Sequence, residues 1–373
     1  MTIDQLSTPC ALVDLDRLER NAASMSQQAR RLGVRLRPHC KTHKCVEAAR
    51  LQTAAEHGGI TVSTLAEAHA FADAGFADIT WAVPVALDRL GECAELVRRT
   101  YRFRVLVDHL RAVAELEAFA AAHALRFEVL LEVDCGHHRS GVDPDDPASV
   151  RLAGAIHSSP DLELAGILTH AGQSYRCGSR AEAAGVARHE RDVMAAFAGR
   201  LRAAGVPVGD VSVGSTPTVT AAEDLTGVTE VRPGNYLLFD AFQATLGTCA
   251  TDDCALTVLA AVVSRSRARR SVIVDAGAIA LSKDRGPAAW DTAAGYGRVL
   301  DLEGRDLGLR LQNVSQEHGE IGDVPASVLD RLPVGTRVRV LANHSCLTAA
   351  QHDHFHVLDA GAIVDRWAIH RGW

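Results

Sequence analysis

No uninterrupted apolar run in this chain approaches the ~20 residues a helix needs to cross a bilayer, which sets aside a helical membrane protein. The opening residues, MTIDQLSTPCALVDLD, have neither the charged head nor the continuous apolar stretch of a secretory signal, so a cytoplasmic location is expected. Paired CxxC spacings are also missing. The nine cysteines are odd in number and scattered, which fits a reducing compartment better than a disulfide framework, and most should be small buried hydrophobes. A basic surplus is lacking as well: 39 Lys and Arg against 46 Asp and Glu give a net charge of -7, so no nucleic-acid partner is expected. The short Arg-rich patch SRSRARRS (264–271) does not overturn that and reads as a solvated loop. With 47% hydrophobic and 23% charged residues and no low-complexity segment, the composition is that of a soluble globular protein.

At 373 residues the chain is too long for one ordinary core and suits two domains, or a barrel with a smaller partner. Eight β-rich runs alternate with amphipathic helical segments: VRLRP (34–38), GITVS (59–63), DITWAVP (78–84), FRVLVD (103–108), FEVLLEVD (127–134), ELAGILTH (163–170), DVSVGS (210–215) and TEVRPG (229–234). Eight strand–helix units point to a closed α/β barrel of the (β/α)8 type. After Gly247 the pattern changes to strand-like runs such as ALTVLAAVVS, RSVIVDAGAIAL and TRVRVLAN, joined by turns without long helices. The expected organisation is a barrel over 12–245 and a β domain over 246–373, to which residues 1–11 and the strand CALVDL belong.

In such a barrel the chemistry sits at the C-terminal ends of the strands, and here nearly every end carries polar residues that a core does not need. The first strand runs into RPHCKTHK, with His39, Lys41, His43 and Lys44. The fifth leads to Asp134 and Arg139, and the sixth to His170, Gln173 and Tyr175. The seventh ends in Gly214, Ser215 and Thr216, and the eighth in Arg232, Gly234, Asn235 and Tyr236. Small and hydroxyl residues after strands seven and eight suit a phosphate, which backbone N–H groups must approach closely. A lysine at one strand end and a phosphate cradle across the rim suggest pyridoxal phosphate, whose aldehyde needs an amine and whose phosphate needs an anchor. An arbitrary lysine is a surface charge; this placement favours a role for one of Lys41 and Lys44.

TPCALVDLDRLERN, RPHCKTHK, STLAEA, THAGQSYRCG, VGSTPT, VRPGNYLLFD, SQEHG, HSC and the terminal RGW together resemble the D-serine dehydratase and D-threonine aldolase family, in order from Thr8 to Trp373. That resemblance implies an alanine-racemase-type barrel followed by a β domain, a homodimer, and a Schiff base on the first lysine of the RPHxKTHK motif, here Lys41. By comparison with the racemases it also brings Arg139 and Arg232 towards the cofactor ring, although either arginine could equally form a salt bridge at the rim.

HSC places His344 and Cys346 two apart after the strand TRVRVLAN, where residues i and i+2 share a face and an imidazole and a thiolate could hold one Zn²⁺. On spacing alone such a pair is common by accident. The resemblance makes it a metal site, because dehydratases of the family hold zinc with H-x-C whereas the aldolases show H-x-D. It also marks His352, within QHDHFH, as a candidate for the metal's surroundings, while the alternation of His352, His354 and His356 by itself reads as a polar strand face. Hydroxide is a poor leaving group, its conjugate acid having a pKa of about 15.7, and metal binding removes much of that barrier. The expected activity is therefore loss of water from a β-hydroxy-D-amino acid, D-serine giving pyruvate and ammonia. D-threonine or threo-3-hydroxyaspartate dehydration, a D-threonine-type aldolase and a non-enzymatic pyridoxal-phosphate carrier are the alternatives. The last needs neither the β domain nor HSC.

Overall fold

The structure, a computed structural model, describes residues 2–55 and 59–373. Two compact units divide the chain. One comprises the chain up to Ala22, Thr42–Ala48 and Asn235–Arg371; the other comprises Ala23–Lys41, Ala49–Gly234 and Gly372–Trp373. The first strand, β1 (Cys10–Asp14), belongs to the former.

The second unit holds the eight expected runs as strands β2 (Arg35–Leu36), β3 (Ile60–Val62), β4 (Asp78–Pro84), β5 (Arg102–Val107), β6 (Phe127–Glu132), β7 (Leu162–Leu168), β8 (Asp210–Val213) and β9 (Glu230–Val231). Every pairing is parallel, in the order β2-β9-β8-β7-β6-β5-β4-β3. A parallel bridge between His39 and Thr61 joins the two ends of that order, with Thr61 N–H donating to the Pro38 carbonyl at 2.9 Å, so the sheet closes into a barrel.

The crossover helices start where the sequence supplies caps. Thr64 accepts from the Glu67 N–H before helix Leu65–Asp73, and Asp146 accepts from Ala148 N–H with Pro147 in the first turn of Pro147–Ser158. Ser179 caps the long helix Arg180–Ala203 through the Glu182 N–H. That helix buries Ala183, Ala187, Met194, Phe197, Ala198 and Leu201 at helical spacing, and one charged residue, Glu190, lies on the same stripe.

The starts of the barrel strands carry a layer of buried charge. Arg37 Nε lies 2.8 Å from Glu230 Oε2 and its Nη1 2.6 Å from Asp78 Oδ1, while Arg104 meets Asp210 at 3.0 Å and Glu128 at 3.2 Å. Gly59 makes room for this layer, since a Cβ there would stand 2.6 Å from Arg37 Nη1.

The other unit contains a ten-stranded sheet built from β1 and from β10 (Leu256–Ser266), β11 (Ser271–Val274), β12 (Gly297–Leu300), β13 (Asp306–Arg310), β14 (Asn313–Val314), β15 (Gly319–Ile321), β16 (Arg337–Ala342), β17 (His354–Asp359) and β18 (Ala362–Ala368). The main path runs β13-β12-β16-β10-β1-β17-β18. Thus β1 lies inside the sheet, antiparallel to β10 and parallel to β17. Val258, Val272, Val274, Leu311, Ile321 and Val340 fill its core.

The SRSRARRS patch is only partly a loop. Ser264–Ser266 continue β10 and Ser271 opens β11, an exposed strand end where Arg265 meets water while the ladder persists; Arg267–Arg270 form the turn, with Arg270 at φ +50°. Arg267 and Arg270 pair with Asp330 and Asp323. All nine cysteines are free thiols, buried except for half-buried Cys249 and Cys346. Among the described residues no helix is long and apolar enough to cross a membrane.

Candidate active site

In the barrel unit, the segment after β2 is pinned before it reaches the lysine. His39 N–H donates to the Pro233 carbonyl at 3.0 Å, and the His39 ring lies 3.5 Å from Ser63 Oγ through Nε2. Lys41 follows, half-buried, in the short turn Cys40–Thr42. His170 ends the segment after β7, with its ring 6.2 Å from Tyr175 and 5.9 Å edge-on from His137. Burial pushes the His170 imidazolium well below the usual histidine range, and the charges of Lys41, Arg139, Arg232 and His137 push the same way. The ring is therefore neutral, and the groups that depress it form a cluster drawn from the ends of β2, β6 and β9. Arg139 is exposed and Arg232 is buried.

Such a cluster attracts an anion. Among the described residues, buried His137 Nδ1 and Gln173 Oε1 have no protein partner. A lysine on a pinned turn, a cationic rim and unmatched polar atoms beside it fit pyridoxal phosphate.

The loop after β8 is framed from behind. Gly214 has φ +110°, and a Cβ there would meet Val219 Cγ2 at 2.8 Å, so glycine is required. Its N–H donates to Glu190 Oε1 at 2.9 Å, and the Ser215 N–H donates to Thr218 Oγ1 at 2.9 Å. Ser215 Oγ caps the helix Thr216–Ala221 and lies 2.8 Å from Ser174 Oγ. Thr216 is buried at the start of that helix, and Gly234 is buried after β9. Burial raises the Glu190 carboxyl to about 7, against the lowering effect of the Gly214 N–H and Arg232.

Arg232 itself donates to Ser212 Oγ at 2.6 Å and to the Thr169 carbonyl, and Ser212 donates in turn to Glu230 Oε1 at 2.7 Å. Burial lowers its guanidinium to about 10, opposed by Glu230, Glu190 and Glu132. The arginine is built into the barrel by these partners.

In the other unit, Asn235 and Tyr236 lie on the turn Asn235–Leu237, Tyr236 fully buried. The Asn235 amide donates to Asp240 Oδ2 at 2.8 Å and Ser345 Oγ at 2.9 Å, and lies 3.7 Å from Cys346 Sγ. Their spacing predicts that His344 and Cys346 share a strand face, and the structure differs: neither lies on a strand. β16 ends at Ala342, His344 is the extended cap residue of helix Ser345–Ala349, and Cys346 lies in its first turn. The change from strand to helix still leaves the two side chains close enough to shift each other's charge equilibrium.

His344 Nδ1 faces Asp284 Oδ2 at 2.6 Å. Burial opposes charge on the imidazole, but Asp284 and Cys346 outweigh it and raise His344 to about 11. Burial likewise raises the Cys346 thiol, but the His344 hydrogen bond and charge bring it below the usual thiol range. A thiol whose charged form is favoured, beside an oriented imidazole, fits a thiophilic metal such as Zn²⁺. His352 stands apart, its Nε2 2.9 Å from the Ala280 carbonyl, while His354 and His356 contact each other at 5.1 Å. Among the described residues no group of three or more His, Cys, Asp or Glu is arranged to hold a metal, so this pair would hold one through two protein ligands alone.

Sequence reading passed over Glu190, Ser212 and Asp284. No spacing links Asp284 to His344 or Glu190 to Gly214; only a buried acid on an otherwise apolar helical stripe marked Glu190.

A parallel barrel whose first strand runs into a lysine turn, followed by a β domain, defines an alanine-racemase-type enzyme. The chain matches the alanine racemase N-terminal domain over residues 13–241 and the serine dehydratase domain over 255–358. It is 44% identical over 377 residues to the D-threo-3-hydroxyaspartate dehydratase of Delftia sp. (strain HT23), covering 100% of this chain and 99% of that one. It is 33% identical to the D-serine dehydratase of Dictyostelium discoideum, over 100% of this chain and 98% of that protein. The D-threonine aldolase of Arthrobacter sp. is 30% identical over 98% of this chain and 92% of its own. The solved Delftia enzyme superposes with a TM-score of 0.96 at 44% identity, each chain fully covered. A cysteine-to-alanine variant of D-threo-3-hydroxyaspartate dehydratase, solved in the metal-free form, superposes at 0.97 with 43% identity, over 100% of both chains. The chain belongs to the D-serine dehydratase and D-threonine aldolase family of pyridoxal-phosphate-dependent lyases.

Proposed function

We propose that this chain is a pyridoxal-phosphate- and zinc-dependent dehydratase of a β-hydroxy-D-amino acid, with D-threo-3-hydroxyaspartate ahead of D-serine as substrate. The observation that carries the reaction is the His344–Cys346 pair, in which a lowered thiol meets an imidazole held by Asp284. A thiolate selects Zn²⁺ over the harder ions that a carboxylate accepts, and this separates the chain from the aspartate-bearing aldolase pattern. The identity to the Delftia dehydratase over the whole chain supports the substrate order.

Pyridoxal phosphate, when bound, supplies an electron sink at Cα. Zinc on His344 and Cys346 would supply a Lewis acid for a β-hydroxyl. Lys41 holds the cofactor and moves the α-proton. His39 and Ser63 fix the turn that carries Lys41, and Arg139 and Arg232 provide the positive field for an anionic ligand, with neutral His170 beside them. Tyr175, Gly214, Ser215, Thr216, Gly234, Asn235 and Tyr236 complete the proposed cofactor set. The same reading makes the protein a homodimer acting on a small molecule, which sedimentation would check.

Purified protein supplied with pyridoxal phosphate and Zn²⁺ should be offered D- and L-isomers of serine, threonine and threo-3-hydroxyaspartate. Keto acid and ammonia in equal amounts from a D-isomer alone are expected. Glycine with an aldehyde would replace this reading by the aldolase, and cofactor binding without any product would replace it by a carrier.

A further inference from the structure

We propose that Asp284 and Thr42 are positioning residues for the His344–Cys346 pair, Asp284 fixing the imidazole through Nδ1 and Thr42 drawing charge from the sulfur. The inference rests on reading that pair as a metal site and deepens it.

Asp284 Oδ2 lies 2.6 Å from His344 Nδ1. A carboxylate accepts only, so Nδ1 carries a proton whether the ring is charged or neutral, and Nε2 is the nitrogen left to give its lone pair to a metal in place of a proton. Asp284 is itself fixed: Oδ1 accepts the Gly286 N–H at 2.7 Å, and its carbonyl accepts from Asn343 Nδ2 at 3.2 Å. Asn343 precedes His344 in the chain and also donates to the Gly295 carbonyl at 2.9 Å, so one network orients the loop and the ring together. The carboxylate's negative charge makes the imidazole a stronger donor as well as a fixed one.

The sulfur is treated in the opposite way. Thr42 Oγ1 stands 3.5 Å from Cys346 Sγ and Asn235 Nδ2 stands 3.7 Å from it, both within reach for sulfur. Toward a metal-bound thiolate the hydroxyl is the donor. Each such bond takes electron density from the sulfur, weakens its donation and leaves the metal the stronger Lewis acid. Asn235 divides its amide among Asp240, Ser345 and the sulfur, so Thr42 is the residue whose removal isolates this effect.

The test uses the full chain with its zinc exchanged for Co²⁺, whose thiolate charge-transfer band reports the electron density on sulfur. Thr42→Val should move that band to longer wavelength, and Thr42→Ser should restore it; Thr42→Ala serves if the valine variant does not fold. Asp284→Asn should weaken Co²⁺ binding roughly 10–100-fold in a competitive chelator titration. An unmoved band in folded Thr42→Val overturns the part given to Thr42, and native affinity in Asp284→Asn overturns the part given to Asp284. A native chain that takes up Co²⁺ without a thiolate band, or takes up none, overturns the metal reading itself.

Discussion

Glu190 reaches from the long helix Arg180–Ala203 to accept the Gly214 N–H at 2.9 Å, behind the loop that follows β8. Burial raises its carboxyl from 4.5 to about 7, so the folded chain holds a proton there that the unfolded chain has already released. Stability from this group is complete below the unfolded value, and it is lost as pH rises through about 7. Glu190→Gln should flatten that part of the stability profile and gain up to about 3 kcal/mol relative to the native chain above neutrality. Urea midpoints measured below the unfolded value and above neutrality test this, and parallel profiles for the two proteins would refute it.

Arg37 offers a larger effect on folding. Replacing it with Met leaves Glu230 and Asp78 without their buried cation, at a cost of about 3–5 kcal/mol. Adding Glu230→Gln should recover part of the loss. Full additivity of the two changes in denaturant unfolding would show that the residues do not act as a pair.

For the cofactor, Lys41→Ala should abolish the visible absorbance that develops with pyridoxal phosphate and is fixed by borohydride. Lys44→Ala should retain it. Lys44 adopts φ +53° and its carbonyl accepts the His370 N–H at 2.7 Å, a structural engagement of its own. The reverse pattern would move the assignment to Lys44.

Metal removal should separate two steps. Chelator-treated protein that stays folded with cofactor bound should still exchange the substrate's α-proton with solvent, because Lys41 does not depend on the metal for that. Keto acid formation should collapse and return with Zn²⁺ but not Mg²⁺. Undiminished keto acid from verified metal-free protein would end the proposal. Cys346→Asp should shift the restoring ion towards Mn²⁺ or Mg²⁺.

The fold was legible because period and punctuation agree. All eight predicted runs are barrel strands, even VRLRP and TEVRPG, which keep only two ladder residues each in β2 and β9. The chain's turn at Asn343 was not legible: β-rich residues run up to it, and only tertiary hydrogen bonds convert HSC from strand to helix cap. Strand-end polarity picked out Lys41, Arg139 and Arg232, which the structure gathers near His170. It could not find Glu190, Ser212 or Asp284, since each acts on a partner distant in sequence and each belongs to a residue type that is ordinarily solvated. Arg37 lies inside the RPHCKTHK motif, yet its pairing with Glu230 and Asp78 follows from barrel closure, which one sequence does not spell out.

The interior position of β1 has a consequence during biosynthesis. Cys10–Asp14 leaves the ribosome ahead of the barrel, but its neighbours β10 and β17 begin at Leu256 and His354. Through synthesis of the entire barrel, an apolar strand with both edges unsatisfied waits on the nascent chain, a template for pairing with other polypeptides. Slowed translation beyond the barrel should therefore lower soluble yield, and co-expressed holdase chaperones should raise it, with no change in the stability of the finished protein.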